Sequence, residues 1–134
     1  MITDTIKDHL KNLDIDPAEA IVVGGSVLAV LGIRAQGDID IMISESTFHR
    51  IASDGYAVSR FPDGSGQITI DDTELMYSWQ GKTNEDFLPN AIHIDGVSFM
   101  SLEEVRAWKQ QQNRPKDQHD IQLIDAYLAV RGQQ

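Results

Sequence analysis

The chain has 134 residues, no cysteine and a formal net charge of −10. This length fits a single domain with a hydrophobic core, and the lack of cysteine excludes disulfides and thiolate metal sites. The acidic balance argues against generic electrostatic binding to nucleic acid. No signal peptide or membrane span is predicted, because the N-terminus is acidic and the apolar runs are broken by glycines. We therefore expect a cytoplasmic protein.

Helices and strands alternate in the first half of the chain. Apolar periodicity and turn residues predict a helix over the first dozen residues, strands at 20–23 and 39–43, and helices at 27–31 and after Ser44. We expect Ser26 to cap the second of these helices and Arg34 to lie near its negative end. The helix between the two strands predicts that they lie side by side in the sheet.

The second half is richer in strands and ends with two helices. The predicted elements are strands at 56–61, 67–70, 73–79, 92–94 and 97–99, a loop at 81–89, and helices from Ser101 and over 116–130. Asp95-Gly96 is a strong two-residue hairpin signal between the last two strands. This order predicts an α/β or α+β fold with a mixed β-sheet flanked by helices. We interpret 1–134 as one domain, with 1–19 as a helical lead-in and 101–134 as closing helices.

The turn Gly24-Gly25-Ser26 is a candidate phosphate site. Glycines let backbone amides approach a ligand closely, and the N-terminus of the helix that follows presents unpaired N–H groups to an anion. Taken alone the pattern is weak, because many strand-to-helix turns contain two glycines for geometry. Its significance depends on the residues that lie next to it.

Asp38 and Asp40 are a candidate metal-binding pair. Residues two apart in a strand point to the same side, so both carboxylates share one face while Ile39, Ile41 and Ile43 pack on the other. Neighbouring carboxylates repel each other, and a cation between them relieves the repulsion. Mg²⁺ prefers a few carboxylates together with substrate phosphate oxygens. Because one short helix separates the pair from the glycine turn, we expect both sites to share one end of the sheet.

Together these residues resemble a known family. Gly24-Gly25-Ser26, a short apolar helix and Gly37-Asp38-Ile39-Asp40-Ile41 are similar to the signature of the DNA polymerase beta-like nucleotidyltransferase superfamily. Residues 23–43 resemble the branch that contains AbiEii-type toxins and small aminoglycoside or lincosamide nucleotidyltransferases. Residues 113–121 resemble the R-P-K-D-x-x-D-I segment that opens the last helix in AbiEii-like members. The resemblance covers most of the chain from about residue 20.

The resemblance implies a nucleotidyltransferase fold and the transfer of a nucleoside monophosphate from an NTP to a hydroxyl group. The turn formed by Gly24, Gly25 and Ser26 would hold the triphosphate. Asp38 and Asp40 would be catalytic residues that bind two Mg²⁺ (or Mn²⁺) ions, assisted by a third carboxylate on a later strand. Such metals stabilise both the attacking and the leaving oxygen.

The third carboxylate has three candidates. Asp71 and Asp72 lie at a predicted turn, where acids are ordinary, whereas Glu74 lies in a strand whose Leu75, Tyr77 and Trp79 share the opposite face. We therefore assign the catalytic and metal-binding role to Glu74, although relatives more often have aspartate there. Lys116, in the second matching segment, is a further candidate contact for the nucleotide phosphates.

The acceptor and the partners stay open at this point. The acceptor hydroxyl could belong to a tRNA, a protein or a small molecule, and the negative charge slightly disfavours RNA. A second copy or a partner chain could complete the acceptor site, and the resemblance implies a toxin–antitoxin or phage-defence context. Two alternatives compete: a catalytically silent member that binds a nucleotide or a protein, and a plain α/β scaffold whose acids have no chemical role.

Other residues have weaker claims. Arg34 and Arg114 can contact phosphate or form salt bridges, and Asp117 and Asp120 suit the N-terminus of the last helix through its dipole. The histidines have no zinc-binding spacing, and we interpret His119 as a surface residue. Trp79 and Trp108 are interpreted as core anchors rather than base-stacking platforms.

Overall fold

The computed structural model of the chain describes residues 2–132. These residues form an α+β fold, in which helices pack against one mixed sheet. The helices are α1 (Ile2–Asn12), α2 (Gly25–Val30), α3 (Glu45–Ser53), α4 (Asn84–Phe87, followed by a 3₁₀ turn at Leu88–Asn90), α5 (Leu102–Gln112) and α6 (Pro115–Gly132). The strands are β1 (Ile21–Val23), β2 (Ile39–Met42), β3 (Ser59–Arg60), β4 (Gly66–Ile70), β5 (Thr73–Met76), β6 (Ile92–Ile94) and β7 (Val97–Phe99). The predicted fold class is confirmed.

The sheet has seven strands in the order β3-β4-β5-β2-β1-β7-β6. β1 lies beside β2, as predicted, and the two run antiparallel, with Val23 paired to Asp40. β2 runs parallel to β5, with Asp40 paired to Glu74. The candidate site therefore lies in the middle of the sheet, on three neighbouring strands.

The core lies between this sheet and the helices. β1 is buried along its whole length, and Ile39, Ile41 and Ile43 are all buried, as the alternation of β2 predicts. α1 buries Ile6 and Leu10, which lie one helical turn apart. A central strand that is held on both sides by neighbours and by apolar packing gives its polar residues a rigid support.

Local signals fix several element ends. Ser44 caps α3, where its hydroxyl accepts a hydrogen bond from the Thr47 amide at 3.3 Å. Ser101 caps α5 in the same way through the Glu104 amide. Asp95 and Gly96 both have positive φ angles, of 52° and 78°, which is the geometry of a two-residue hairpin turn between β6 and β7. These predictions are confirmed.

Two strand predictions are too long. The strand predicted over 56–61 contains only Ser59–Arg60, because β3 is an edge strand and its alternating residues Tyr56 and Val58 are exposed rather than packed. The strand predicted over 73–79 ends at Met76, after which the chain turns and Trp79 pairs with Lys82 in an isolated bridge. Trp79 therefore does not continue the alternation of β5.

The predicted loop at 81–89 is wrong, since this segment contains α4 and the 3₁₀ turn. A capping box between Thr83 and Asp86 starts α4, and Phe87 is buried at its end. Within residues 2–132, none of the helices has the length and apolar character needed to cross a membrane.

Candidate active site

The glycine turn and the central carboxylate come together because β1 and β2 run antiparallel. The end of β1 then lies beside the start of β2, and Gly24 follows Val23, the partner of Asp40. A Cβ atom placed on Gly24 would lie 3.3 Å from Asp40 Oδ2, and Gly24 has a φ of +68°. A side chain there would be strained and would crowd the carboxylate, so glycine is required by both the turn and its neighbour.

Ser26 does not have the position that the sequence predicts. The N-cap of α2 is Gly24, so the capping role assigned to Ser26 is wrong. Ser26 lies inside the helix, is fully buried, and donates a hydrogen bond to the Asp38 carbonyl at 3.0 Å. It therefore ties α2 to the segment that carries the acidic pair, and its hydroxyl is already engaged.

Glu74 is the acid that lies beside Asp40. The two residues are direct partners on the parallel strands β2 and β5, so their side chains leave the sheet on the same face. Asp71 and Asp72 lie in the exposed turn between β4 and β5, where Asp71 has a φ of 55° and Asp72 approaches His9 at 3.9 Å. The geometry thus favours Glu74 as the third carboxylate.

Asp40 has an unusual electrostatic environment. Burial, a hydrogen bond with Glu74, and the negative charges of Glu74 and Asp38 raise the pKa of Asp40 to about 8, while Lys109 partly offsets this rise. Asp40 Oδ1 is buried and has no hydrogen-bond partner within residues 2–132. Near neutral pH the pair of carboxyl groups therefore retains a proton, which keeps two negative charges from meeting.

The donor set of this acidic group fits a hard divalent cation. No group of three or more His, Asp or Glu side chains within residues 2–132 is already spaced to hold one ion. However, a bound cation would give the unpartnered Oδ1 of Asp40 a partner. It would also replace the proton that is retained beside Glu74. Asp38 adds an exposed carboxylate next to them. Carboxylate oxygens of this kind suit Mg²⁺ or Mn²⁺.

A buried network of ion pairs faces the acidic group from α5 and α6. Lys109 Nζ lies 2.9 Å from Asp120 Oδ2 and 3.7 Å from Asp117 Oδ1, and all three side chains are at least nine-tenths buried. Burial raises the pKa of Asp117, but the hydrogen bonds from Arg114 outweigh it and the net shift is downward. Asp117 and Asp120 are thus structural anchors for the cations around them.

Arg34 joins this network and lies over the glycine turn. Its Nε is 3.3 Å from Asp120 Oδ1, and a Cβ atom on Gly25 would collide with its guanidinium group. The expected position near the negative end of α2 is wrong, because the side chain reaches back to Gly25, the first residue of the helix. The long-range pair with Asp120 outweighs the weak attraction of a short helix end.

Lys109 was missed by the sequence reasoning, although the sequence contains a signal for it. Leu102, Val105 and Lys109 follow each other at the spacing of one helix face, and they are the buried residues of α5. A lysine in the apolar stripe of an amphipathic helix requires a buried acidic partner. Lys109 is also close enough to Asp40 to lower its pKa, so it links the ion-pair network to the carboxylates.

A cavity of about 610 Å³ opens between the acidic group and this network. It is lined by six of the seven residues predicted for the site: Gly24, Gly25, Asp38, Asp40, Glu74 and Lys116. Its lining also contains Arg34, Lys109 and Arg114, so four cationic side chains face Asp40 on β2, Glu74 on β5 and Asp38 just before β2, while Asp117 and Asp120 line the cavity from α6. The exposed His119 lies at the same cavity.

One side of the cavity is an aromatic wall, formed by Phe61, Trp79 and Trp108. The ring centroids of Trp79 and Trp108 are 4.9 Å apart, and those of Phe61 and Trp79 are 5.1 Å apart. All three side chains are half-buried. The prediction that Trp79 lies on the face opposite Glu74 is wrong, since both residues line this cavity.

Comparison with known proteins adds no further assignment: no protein-family model, curated protein or solved structure matches this chain.

Proposed function

We propose that the protein is a Mg²⁺-dependent nucleotidyltransferase, which moves a nucleoside monophosphate from an NTP to a hydroxyl acceptor. The observation that supports this most strongly is the position of Asp40. It is paired with Glu74 across two central strands, adjoins the Gly24 turn, and faces a cavity with four cationic side chains. Acids that bind metal and cations that bind phosphate are the two halves of such a site.

The triphosphate would bind between the glycine turn and the cationic side of the cavity. Arg34 already lies over Gly25, and its forked guanidinium group suits phosphate oxygens. Lys109 and Lys116 line the same cavity, one buried and one exposed. Because Asp117 and Asp120 hold Arg34, Arg114 and Lys109, the cations are positioned before the ligand arrives.

The chemical step is a substitution at the α-phosphorus. The acceptor oxygen forms a bond to the α-phosphorus, the bond from that phosphorus to the bridging α–β oxygen breaks, and pyrophosphate leaves. The proton of the acceptor hydroxyl would pass to the carboxyl pair of Asp40 and Glu74. Once a bound cation has displaced the proton that this pair retains near neutral pH, a carboxylate is ionised and can take up the proton of the acceptor.

Asp38, Asp40 and Glu74 would hold the divalent ions, which neutralise the charge that develops on the phosphate oxygens. Glutamate at position 74 carries one more methylene than aspartate. The parallel register still places it directly beside Asp40, so the longer side chain remains within reach of a shared ion.

The acceptor must come from another molecule. Among the described residues, the cavity lining contains no serine, threonine or tyrosine, so the chain offers no hydroxyl to its own α-phosphate site. The open side of the cavity would receive the acceptor, with a second copy or a partner chain as a further wall.

Thermal unfolding with each NTP, with and without Mg²⁺ or Mn²⁺, tests the binding step. Ligand at about 100 times its dissociation constant adds roughly 2.7 kcal/mol of stability, which raises the melting temperature by about 4 °C or more. We expect this shift in the wild type and in Asp71→Asn, which removes an acid outside the cavity, and not in Asp40→Asn. Each variant is compared with its own melting temperature without ligand.

Transfer of label from an α-phosphate-labelled NTP to RNA, protein or small molecules of a cell extract tests the chemistry. Label that depends on Asp40 would identify the acceptor class. Nucleotide binding without transfer would favour a catalytically silent binding module. A well-folded wild type that no NTP stabilises would contradict the proposal.

A further inference from the structure

The aromatic wall begins next to the glycine turn. A Cβ atom on Gly24 would lie 3.7 and 3.8 Å from two ring carbons of Trp108 and 3.3 Å from Asp40 Oδ2. Trp79 and then Phe61 continue the wall along the same cavity, at centroid spacings of 4.9 and 5.1 Å. We infer that the aromatic wall holds the nucleobase of the bound nucleotide, which rests on the function proposed above.

Packing alone does not account for tryptophan at these two positions. The indole N–H groups of Trp79 and Trp108 are both buried and have no hydrogen-bond partner within residues 2–132. Such donors are unfavourable, and a phenylalanine or leucine would fill the space without them. The rings are also only half-buried, so part of each ring surface faces the cavity instead of the core. Two large, partly uncovered aromatic surfaces are suited to a planar ligand.

Two neighbouring residues of α5 face the charged part and the aromatic part of the cavity. Lys109 points into the ion-pair network that adjoins the carboxylates, while its neighbour Trp108 points to the aromatic wall. A nucleotide has the same division, with a charged end that needs cations and a planar, neutral end that stacks. The triphosphate near Gly24 and the base on the wall are therefore compatible with one bound molecule.

Two side-chain amides lie at the same cavity and can bond to the edge of the base. Gln112 is four residues after Trp108 and thus on the same face of α5, and Gln67 extends from β4 beside Met76. An amide both donates and accepts hydrogen bonds, which matches the mixed edges of nucleobases.

A second pocket, of about 230 Å³, is also lined by Trp79 and Trp108, and it is the alternative position for the base. It contains Gln111, whereas the larger cavity contains Gln112. These consecutive glutamines therefore report on different pockets. The base is assigned to the larger cavity, because the carboxylates and the glycine turn line that cavity only.

Intrinsic fluorescence tests the inference directly, since the chain has two tryptophans and both belong to the aromatic wall. The wild type is titrated with the four NTPs and with inorganic tripolyphosphate, all with Mg²⁺. We expect an NTP to quench the fluorescence and to bind at least tenfold more tightly than tripolyphosphate, since stacking adds affinity that phosphate alone lacks. Calorimetry supplies the affinities where tripolyphosphate gives no optical signal.

The binding of NTP and tripolyphosphate to variants then tests whether the base contacts the aromatic wall. Trp108→Leu is expected to weaken NTP binding about tenfold and Trp108→Phe by no more than about threefold, with tripolyphosphate binding unchanged in both. Phe61→Leu, at the other end of this row of rings, is likewise expected to weaken NTP binding with tripolyphosphate binding unchanged, and circular dichroism checks its folding. Gln112→Ala is expected to weaken NTP binding, and Gln111→Ala to leave it unchanged.

The outcomes separate this inference from the proposed function. If NTPs and tripolyphosphate bind equally well and fluorescence does not change, the base does not contact the wall, while the phosphate site stands. A loss in Gln111→Ala together with none in Gln112→Ala would place the base in the second pocket and overturn the inference. If neither ligand binds, the nucleotide site itself is wrong, and the inference falls with it.

Discussion

Replacing Asp40 by asparagine should stabilise the fold, and increasingly so at higher pH. The pKa of Asp40 is about 8 in the folded chain, against 3.8 ordinarily, so the folded state binds more protons than the unfolded state between these values. Stability therefore falls as the pH rises from about 4 to about 8, because the folded chain resists the ionisation that the unfolded chain undergoes freely. An asparagine amide cannot ionise, and it can donate a hydrogen bond to Glu74 as the protonated carboxyl does.

The size of the effect follows from the pKa difference. Each unit corresponds to about 1.4 kcal/mol, so the full difference sets a ceiling of roughly 6 kcal/mol above pH 8. Water reaches part of this half-buried side chain and lowers the penalty. We expect Asp40→Asn to raise the free energy of unfolding by about 2 kcal/mol at pH 9, or roughly 5–10 °C in melting temperature, and by about 0.5 kcal/mol at pH 5.

Urea unfolding followed by far-UV circular dichroism from pH 5 to pH 9 measures this difference. Asp8→Asn is the matched control, because it removes one negative charge from an exposed position on α1. Its effect should be small and nearly independent of pH. If the two variants gave parallel pH profiles, the strain assigned to the Asp40–Glu74 pair would be refuted.

Three further predictions concern packing, the ion-pair network and metal binding. Gly66→Ala places a Cβ atom 2.7 Å from the buried Phe48 ring, so it should lower stability by about 1–3 kcal/mol in urea unfolding. Gly37→Ala, with no atom within 4 Å of the new Cβ, should change it little. Lys109→Met removes a cation that pairs with two buried carboxylates, so it should lower the free energy of unfolding by about 3 kcal/mol. Lys116→Met, at an exposed position, should leave stability nearly unchanged. Equal effects of the two variants would contradict the ion-pair network. Mn²⁺ binding at pH 7 should release about one proton, measured by calorimetry in buffers of different ionisation enthalpy, and the release should vanish in Asp40→Asn.

Much of the secondary structure, and several of the residues that line the candidate cavity, could be predicted from local signals in the sequence. Alternation identified β2 with its buried isoleucines, and the Asp95-Gly96 turn identified the last hairpin. Alternation also separated Glu74 from the two acids of the preceding turn. Such signals are readable because burial and turn conformation depend on neighbours only a few residues away.

Local signals failed where a distant partner decides the outcome. Ser26 has the chemistry of an N-cap, but it lies inside α2 and bonds to the Asp38 carbonyl, twelve residues away. The alternation through Trp79 continues past Met76, yet the strand ends there, and the side chain meets Trp108 on a different element. A residue with two competing uses takes the one that tertiary contacts stabilise more.

The sequence by itself determined that this is an α+β protein in which glycines and paired acids occur at strand ends. Only the tertiary structure decided that β1 and β2 run antiparallel, which places Gly24 beside Asp40, and that β5 adds Glu74 to the same face. It also decided that Lys109, on a helix about seventy residues further along, points into the acidic site. The physical reason is that periodicity records which side of an element is buried, whereas strand direction and charge pairing depend on how distant elements meet.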